Sequence, residues 1–342
     1  MLTHELVEAL LTPIGEASPC GDDLEYDADF TALTTSALGK PEQQFGDTVI
    51  PAVEPEWRQV AEQSDALLRR SKDVRPAVLL LRASTRLQGI TGFVAGLELL
   101  TGLLDRFWEG IHPKLDADDD NDPTMRLNAL APLGDEAMVL KDLYDAQVGV
   151  APGVGAIRVR DIAVANNALN AVGGDATYSP AQIQGGLEAL HAERPELIQA
   201  AIGVPGLVEK LQALLVERTG RADVIDLAPL RTIGRMLQKA CSAAIGAPDE
   251  AQVEGAEGDG APAGGAPRAA AARGEIQSRQ DALQTLDRVI RFLEQTEPGN
   301  PAPLLIDRAK KLIGVSFLEI MANLAPGALD TIETVTGKRS SE

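Results

Sequence analysis

The amino-acid sequence predicts an all-α, multidomain scaffold: an irregular loop segment near the N-terminus, a helical body, and a tethered helical hairpin at the C-terminus. Three observations support this. The composition is 44% hydrophobic but only 3% aromatic, with many Ala and Leu, which give up little backbone or rotamer freedom in a helix. β-rich chains carry more Val, Ile, Tyr and Phe in alternation. Apolar residues recur at steps of three and four through much of residues 57–133, the period of one helix face. Stretches rich in Pro, Gly and Asp separate the periodic segments. At 342 residues the chain has room for two or three domains of roughly 100–200 residues each. It is also long enough to bury a core without staples.

The first residues, MLTHELVEALL, place acids where a signal peptide needs basic residues, and no stretch approaches the roughly 20 apolar residues that span a bilayer. A soluble, cytoplasmic protein is expected. Residues 12–56 show weak periodicity and read as a largely loop segment with one short helix over Ala28–Leu38. Long loops in compact domains wrap the surface or carry function. From Glu56 the pattern turns helical, with Trp57, Val60, Ala61, Leu67 and Leu68 on one face. Asp73 is placed to cap the next helix, whose centre PAVLLLRAS is apolar nearly all round and therefore central. Thr91 is placed to cap a third helix carrying Phe93, Leu97, Leu100, Leu104, Phe107 and Ile111 in a heptad-like stripe. Gly92, Ala95, Gly96 and Gly102 allow close approach on neighbouring faces, and His112-Pro113 ends the helix. Trp57 and Trp108 read as core anchors of helix packing.

A loop at residues 116–122 then holds five aspartates in seven positions, and Asp122 or Thr124 is placed to cap a fourth helix with Met125, Leu127 and Leu130. Residues 134–246 hold further helices, broken at Gly149–Gly155 and Gly173–Pro180. AIRVRDIAVANNAL reads as a short extended piece followed by a helix that Asp161 caps. Residues 247–274 are Ala, Gly and Pro with no bulky apolar residue except Val253. Such a segment cannot offset its ordering entropy and should act as a flexible linker. Residues 275–342 read as a helical hairpin. One stripe carries Leu283, Leu286, Ile290 and Leu293; the other carries Ile306, Ile313, Phe317, Ile320 and Leu324. A hairpin this small buries too little by itself, so these residues are the candidate oligomerisation contacts.

The chemistry of an enzyme is missing. The formal net charge is −20, which repels phosphate backbones and argues against nucleic acid or an anionic membrane as partner. Cys20 and Cys241 give neither a disulfide framework nor ligand spacing, and a reducing compartment is the natural reading. His4, His112 and His191 form no HExxH pair, and no GxSxG elbow occurs. Gly39-Lys40 is not a P-loop, because Thr34 and Pro41 stand where Gly and Ser/Thr are required; Gly153–Arg158 lacks the third glycine of a dinucleotide fingerprint. No catalytic residue, cofactor or metal site is assigned. Asp116, Asp118 and Asp120 alternate as calcium ligands do, but Asn121 replaces the turn glycine and Leu127 the closing glutamate. The acidic loop therefore reads as a solvated cap for the next helix or as a protein-docking surface, with a metal site the remaining alternative.

Four stretches carry a family resemblance: SPCGDDLEYDADF at 18–30, GKPEQQFGDTVIPAVEPEW at 39–57, LLRRSKDVRPAVLLLRA at 67–83, and GITGFVAGLELLTGLLDRFWEGIHPKLDADDDNDPTMRLNALAPL at 89–133. In order and spacing they resemble the ImpA-type N-terminal domain of TssA proteins, components of the bacterial type VI secretion machine. Beyond about residue 160 the likeness is looser, and the tail RAKKLIGVSFLEIMANLAPGAL at 308–329 resembles the shorter members. The resemblance implies a cytosolic, non-enzymatic assembly factor. It would engage the baseplate and membrane complex, help tube and sheath polymerise, and form multimeric rings through its C-terminal region. Together with the residue pattern it gives an expected organisation of 1–133 as the ImpA-like domain (reaching to about 160), 134–246 as a middle helical region, 247–274 as linker and 275–342 as the oligomerisation module.

Two candidate partner surfaces follow. One is Lys40, Glu42, Gln43, Gln44, Phe45 and Asp47; the other is Asp118, Asp119, Asp120, Asp122 and Arg126. For the first, Phe45 and Ile50 pinning a loop to the helices is the competing reading, with Gln43 and Gln44 satisfying loop backbone. Two rivals to a ring-forming assembly factor stand beside it. One is an adaptor of the sheath or its recycling ATPase that forms no ring. The other is a metal-dependent hydrolase built on the acidic loop, with only His112 nearby.

Overall fold

A computed structural model describes residues 1–40, 43–45, 48–170, 178–221, 225–246, 286, 289–291, 293 and 301–310. Two units divide the chain, Met1–Ala256 and Glu257–Glu342. The first unit is mainly α with two small antiparallel hairpins. Its elements are α1 (His4–Leu10), α2 (Ala28–Leu38), β1 (Gln43–Phe45), β2 (Thr48–Ile50), α3 (Trp57–Leu68), α4 (Val74–Gln88), α5 (Ile90–Phe107), α6 (Thr124–Leu130), α7 (Val139–Asp145), β3 (Gln147–Ala151), β4 (Gly155–Arg158), α8 (Val159–Ala165), α9 (Pro180–Glu193), α10 (Pro195–Thr219) and α11 (Ala228–Ala244). In the second unit residues 286, 289–291 and 293 are helical, and α12 spans Ala302–Lys310.

The α4–α5 pair is the centre of the first unit. The whole predicted stripe from Phe93 to Ile111 is buried. Gly89 turns the chain between the two helices at φ +66°, and a Cβ there would lie 2.0 Å from the Gln147 carbonyl oxygen. A Cβ on Gly92 would meet the Ser84 carbonyl, and one on Gly96 would stand 2.8 Å from the Leu81 Cα. Position 92 faces 84 and position 96 faces 81, so the helices run antiparallel in backbone contact. α3 packs on α4, and α10 packs on α5 and carries α11 on its other side. One hydrophobic core runs from Leu2 to Cys241. A smaller cluster of Phe30, Leu33, Val60, Leu67 and Ala83 holds α2 against α3 and α4.

Several local expectations need revision. Asp73 caps α4 as expected, its carboxylate accepting from the Arg75 amide at 2.8 Å. Thr91 does not cap α5: the helix begins at Ile90, and the Thr91 hydroxyl donates back to the Gln88 carbonyl. α5 ends at Phe107, before the His112-Pro113 dipeptide, which is cis. The supposed loop at 39–51 contains the β1–β2 hairpin, in register Gln43↔Ile50, Gln44↔Val49 and Phe45↔Thr48. The supposed break at Gly149–Gly155 is the β3–β4 hairpin, where Gly149 leaves room for Leu190. Asp161 accepts from the Arg158 amide at 2.8 Å and so starts α8, as its spacing predicts.

Candidate interaction surfaces

The conspicuous sequence stretches fall into two groups: some fold into each other, and others face outward. The first group meets where α1, α3, α4 and α5 converge. Gly21 sits at φ +72° against the Arg70 carbonyl oxygen, 2.2 Å from where a Cβ would be. Only glycine fits that approach. The Lys72 amide donates to the Cys20 carbonyl at 2.7 Å, and the Ser71 hydroxyl donates to the Asp22 carbonyl at 2.7 Å. The acids of 22–29 then close on two arginines. Arg70 pairs with Asp27 at 2.6 Å and Asp29 at 2.7 Å. Arg75 pairs with Glu25 at 2.9 Å and Asp73 at 2.8 Å, and its guanidinium lies 4.6 Å from the Phe30 ring centroid.

Two buried cations finish this junction. Lys72 is 1% exposed, and its ammonium donates to the Leu10 carbonyl at 2.6 Å and the Leu68 carbonyl at 3.2 Å. These are carbonyls at the C-terminal ends of α1 and α3, which lack intrahelical donors and carry partial negative charge. Burial pushes the Lys72 pKa down to about 8. Arg126 does the same for α5. It is 0% exposed and donates to the carbonyls of Trp108 at 2.5 Å, Ile111 at 2.7 Å and Pro113 at 3.0 Å. Its guanidinium lies 4.7 Å from the Trp108 ring centroid, and burial lowers its pKa to about 10. Arg126 was expected at a partner surface. The structure places it inside, with its donors committed to backbone, so it is a folding residue. His112 is also buried, its amide donating to the Lys72 carbonyl at 2.9 Å and its Nδ1 lying 3.6 Å from Asp23.

The outward group has two members. Lys40 and Val53 exchange backbone hydrogen bonds at 2.8 Å, so this bridge and the β1–β2 hairpin form one antiparallel ribbon among the described residues of 40–53. The two strands pack chiefly against each other. Gln44 is exposed, and Ile50 and Val53 are 46% and 54% exposed. About half of the Ile50 side chain is exposed. Glu42 and Asp47, and the side chains of Gln43 and Phe45, lie outside the described residues.

The second is the acidic loop. Asp118, Asp119 and Asp120 are exposed. Asp116 accepts from the Asp118 amide, and Asp122, one residue before the Pro123 N-cap of α6, accepts from the Thr124 amide at 2.8 Å. Hydrogen bonds from Thr124 hold the Asp122 carboxyl below the usual range. Beside the loop lies a polar cleft of 610 Å³ whose far wall is Arg218, Thr219 and Arg221. A second cleft of 560 Å³ is lined by Cys20, Phe107, Trp108, Lys114 and Arg218 among others. Among the described residues no three His, Cys, Asp or Glu side chains converge as a metal cage, and no helix is long and apolar enough to cross a membrane.

Of the expected oligomerisation residues, Leu286, Ile290, Leu293 and Ile306 are half-buried in helical stretches. Leu283, Ile313, Phe317, Ile320 and Leu324 lie outside the described residues, as does the linker 247–274. What sequence reasoning missed is the role of Lys72, Arg70 and Arg75. Their signal was present as a cluster of bases, RRSKDVR, matching the acids of DDLEYDAD about 45 residues earlier.

Comparison with known proteins identifies a family. The family described as ImpA, N-terminal, type VI secretion system, matches residues 11–135, which contain the junction, the ribbon and the acidic loop. The type VI secretion system component TssA1 of Pseudomonas aeruginosa is 39% identical over 347 residues, covering 98% of this chain and 99% of that one. A solved structure of the N-terminal domain, including the conserved ImpA_N region, of the TssA component from Burkholderia cenocepacia matches with a TM-score of 0.53. The match is at 26% identity and covers 70% of this chain and 92% of that one. The chain belongs to the TssA family of type VI secretion system components.

Proposed function

We propose that the chain is a non-enzymatic, cytoplasmic assembly factor that docks other secretion proteins and forms a ring through its C-terminal module. Residues 1–133 serve as the docking domain and 134–246 extend it. Residues 247–274 act as tether and 275–342 as the assembly module. The partners are baseplate, sheath and tube proteins and the membrane complex, together with further copies of itself. No cofactor, nucleic acid or membrane insertion enters the function.

The observation that supports docking is the division of labour among the motif residues. The junction residues Arg70, Arg75, Lys72 and Arg126 bond to groups within the domain. On the ribbon Gln44, Ile50 and Val53 are exposed, and so are the tip aspartates Asp118, Asp119 and Asp120. Exposed apolar and amide groups on a ribbon are suited to protein contacts, and acidic tips are suited to a basic surface. The test is the double substitution Gln43→Ala with Gln44→Ala. It should leave stability within about 0.5 kcal/mol, as surface changes do, while weakening capture of a baseplate or sheath protein and reducing secretion. A variant that melts early, or one that is stable and binds every partner normally, would remove the ribbon from the docking surface.

A further inference from the structure

We infer that Arg86 is a positioning residue for the ribbon: through Glu54 it fixes the direction in which strands β1 and β2 point. This rests on the docking reading above and adds what holds the docking element. Both legs of the ribbon meet at Lys40 and Val53. On one leg Gly39, at φ +63°, is pressed against Val53, with a Cβ there falling 2.5 Å from the Val53 carbonyl oxygen. On the other leg the residue after Val53 is Glu54. Its carboxylate accepts a short hydrogen bond from Arg86, lies 3.5 Å from the Trp57 indole nitrogen, and is 3.8 Å from the Lys141 ammonium.

Arg86 is held from behind. Its second nitrogen reaches Asp145 at 3.1 Å and Asp142 at 3.9 Å, and Asp142 is in turn bound by Arg82 at 2.6 Å. The guanidinium groups of Arg82 and Arg86 lie 5.1 Å and 5.8 Å from the Trp57 ring centroid. Arg160 closes the lattice on Asp145 at 3.3 Å. The ribbon base is therefore fastened to α4 and, through the same guanidinium, to α7. An isolated exposed ion pair contributes little, but a network with one buried member is held in a single geometry. Arg86 has 16% of its side chain exposed and Asp142 3%, whereas Glu54 has 54%. The fixed end is in the helical body and the open end is on the ribbon. Removing Glu54 thus frees the ribbon without opening the α4–α7 contact.

The experiment uses the full chain. Spin labels at Gln44→Cys and Glu98→Cys, diluted with unlabelled protein, report the ribbon's spread of positions; Cys20 and Cys241 are buried. Affinity is measured in parallel for purified baseplate and sheath proteins of the same machine. Glu54→Ala should broaden the distance distribution, leave the melting temperature unchanged, and weaken binding about fivefold if the competent fraction drops to a fifth. Glu54→Gln, which keeps an acceptor for Arg86, should restore most of both. Deletion of 41–52 separates the two ideas. If the deleted chain binds all partners normally, the docking reading fails and the inference with it. If deletion abolishes binding but Glu54→Ala leaves the distribution narrow, or broadens it with affinity unchanged, the positioning inference alone is overturned.

Discussion

Replacing Arg126 by methionine should cost stability on the order of 3 kcal/mol while leaving the exposed surfaces intact. Methionine matches the length and apolar body of the side chain but removes all of its donors. Three carbonyls, those of Trp108, Ile111 and Pro113, lose their bonds at 2.5, 2.7 and 3.0 Å. Hydrogen bonds to a charged donor contribute about 1.5–3 kcal/mol each, so the gross loss is roughly 4.5–9 kcal/mol. Against this, methionine carries no burial cost, and that cost for an ion is several kcal/mol. The lowering of the Arg126 pKa to about 10 by burial shows the same penalty. The net is a loss of about 3 kcal/mol, below the low end of the gross figure. Arg126→Lys should lie between wild type and Arg126→Met, since one ammonium cannot reach all three carbonyls. Urea unfolding followed by tryptophan fluorescence is a direct assay, because Trp108 lies under the guanidinium. A loss below about 1 kcal/mol in Arg126→Met, with partner binding reduced instead, would show that Arg126 belongs to a docking surface after all.

Gly21→Ala should destabilise by about 2 kcal/mol or more in a thermal melt, because φ +72° and a 2.2 Å approach to the Arg70 carbonyl both exclude a Cβ. Lys72 predicts a pH dependence. Its folded pKa is lowered to about 8 from 10.5, so between those values the unfolded chain binds the extra proton. Stability should rise with pH across that window, by at most about 1.4 kcal/mol per unit, and this rise is absent below it. Denaturation at stepped pH should show the rise in wild type and a flatter profile in Lys72→Met; parallel profiles would contradict it. The acidic loop should bind calcium no more tightly than about millimolar. A calorimetric titration giving micromolar affinity, lost in Asp118→Asn, would reverse that assignment.

Where a residue's role depends on its neighbours in sequence, the chain could be read directly. Ala28–Leu38, the Asp73 cap, the buried stripe of α5 and the capping role of Asp161 in the first turn of α8 all follow from spacing alone. Where the role depends on a distant partner, local pattern misled. Arg126 follows a run of aspartates and reads as a surface charge, yet its partners lie 13 to 18 residues back, at the end of another helix. The acids of 22–29 have no local partners in the pattern; Arg70 and Arg75 bring the charges from 41 to 50 positions away. The ribbon was hidden for a different reason: strands of three residues are too short to show a period of two.

Under the proposed function, docking resides in the first 246 residues and assembly in the tail. Native mass spectrometry of the full chain beside residues 1–246 tests it most directly. The full chain should appear as a high oligomer, and 1–246 as a folded monomer or weak dimer. Ile313→Asp or Phe317→Asp in the full chain should weaken assembly in the same direction, because a charge would be buried at the contact. A 1–246 fragment that keeps the oligomer size of the full chain would contradict the claim.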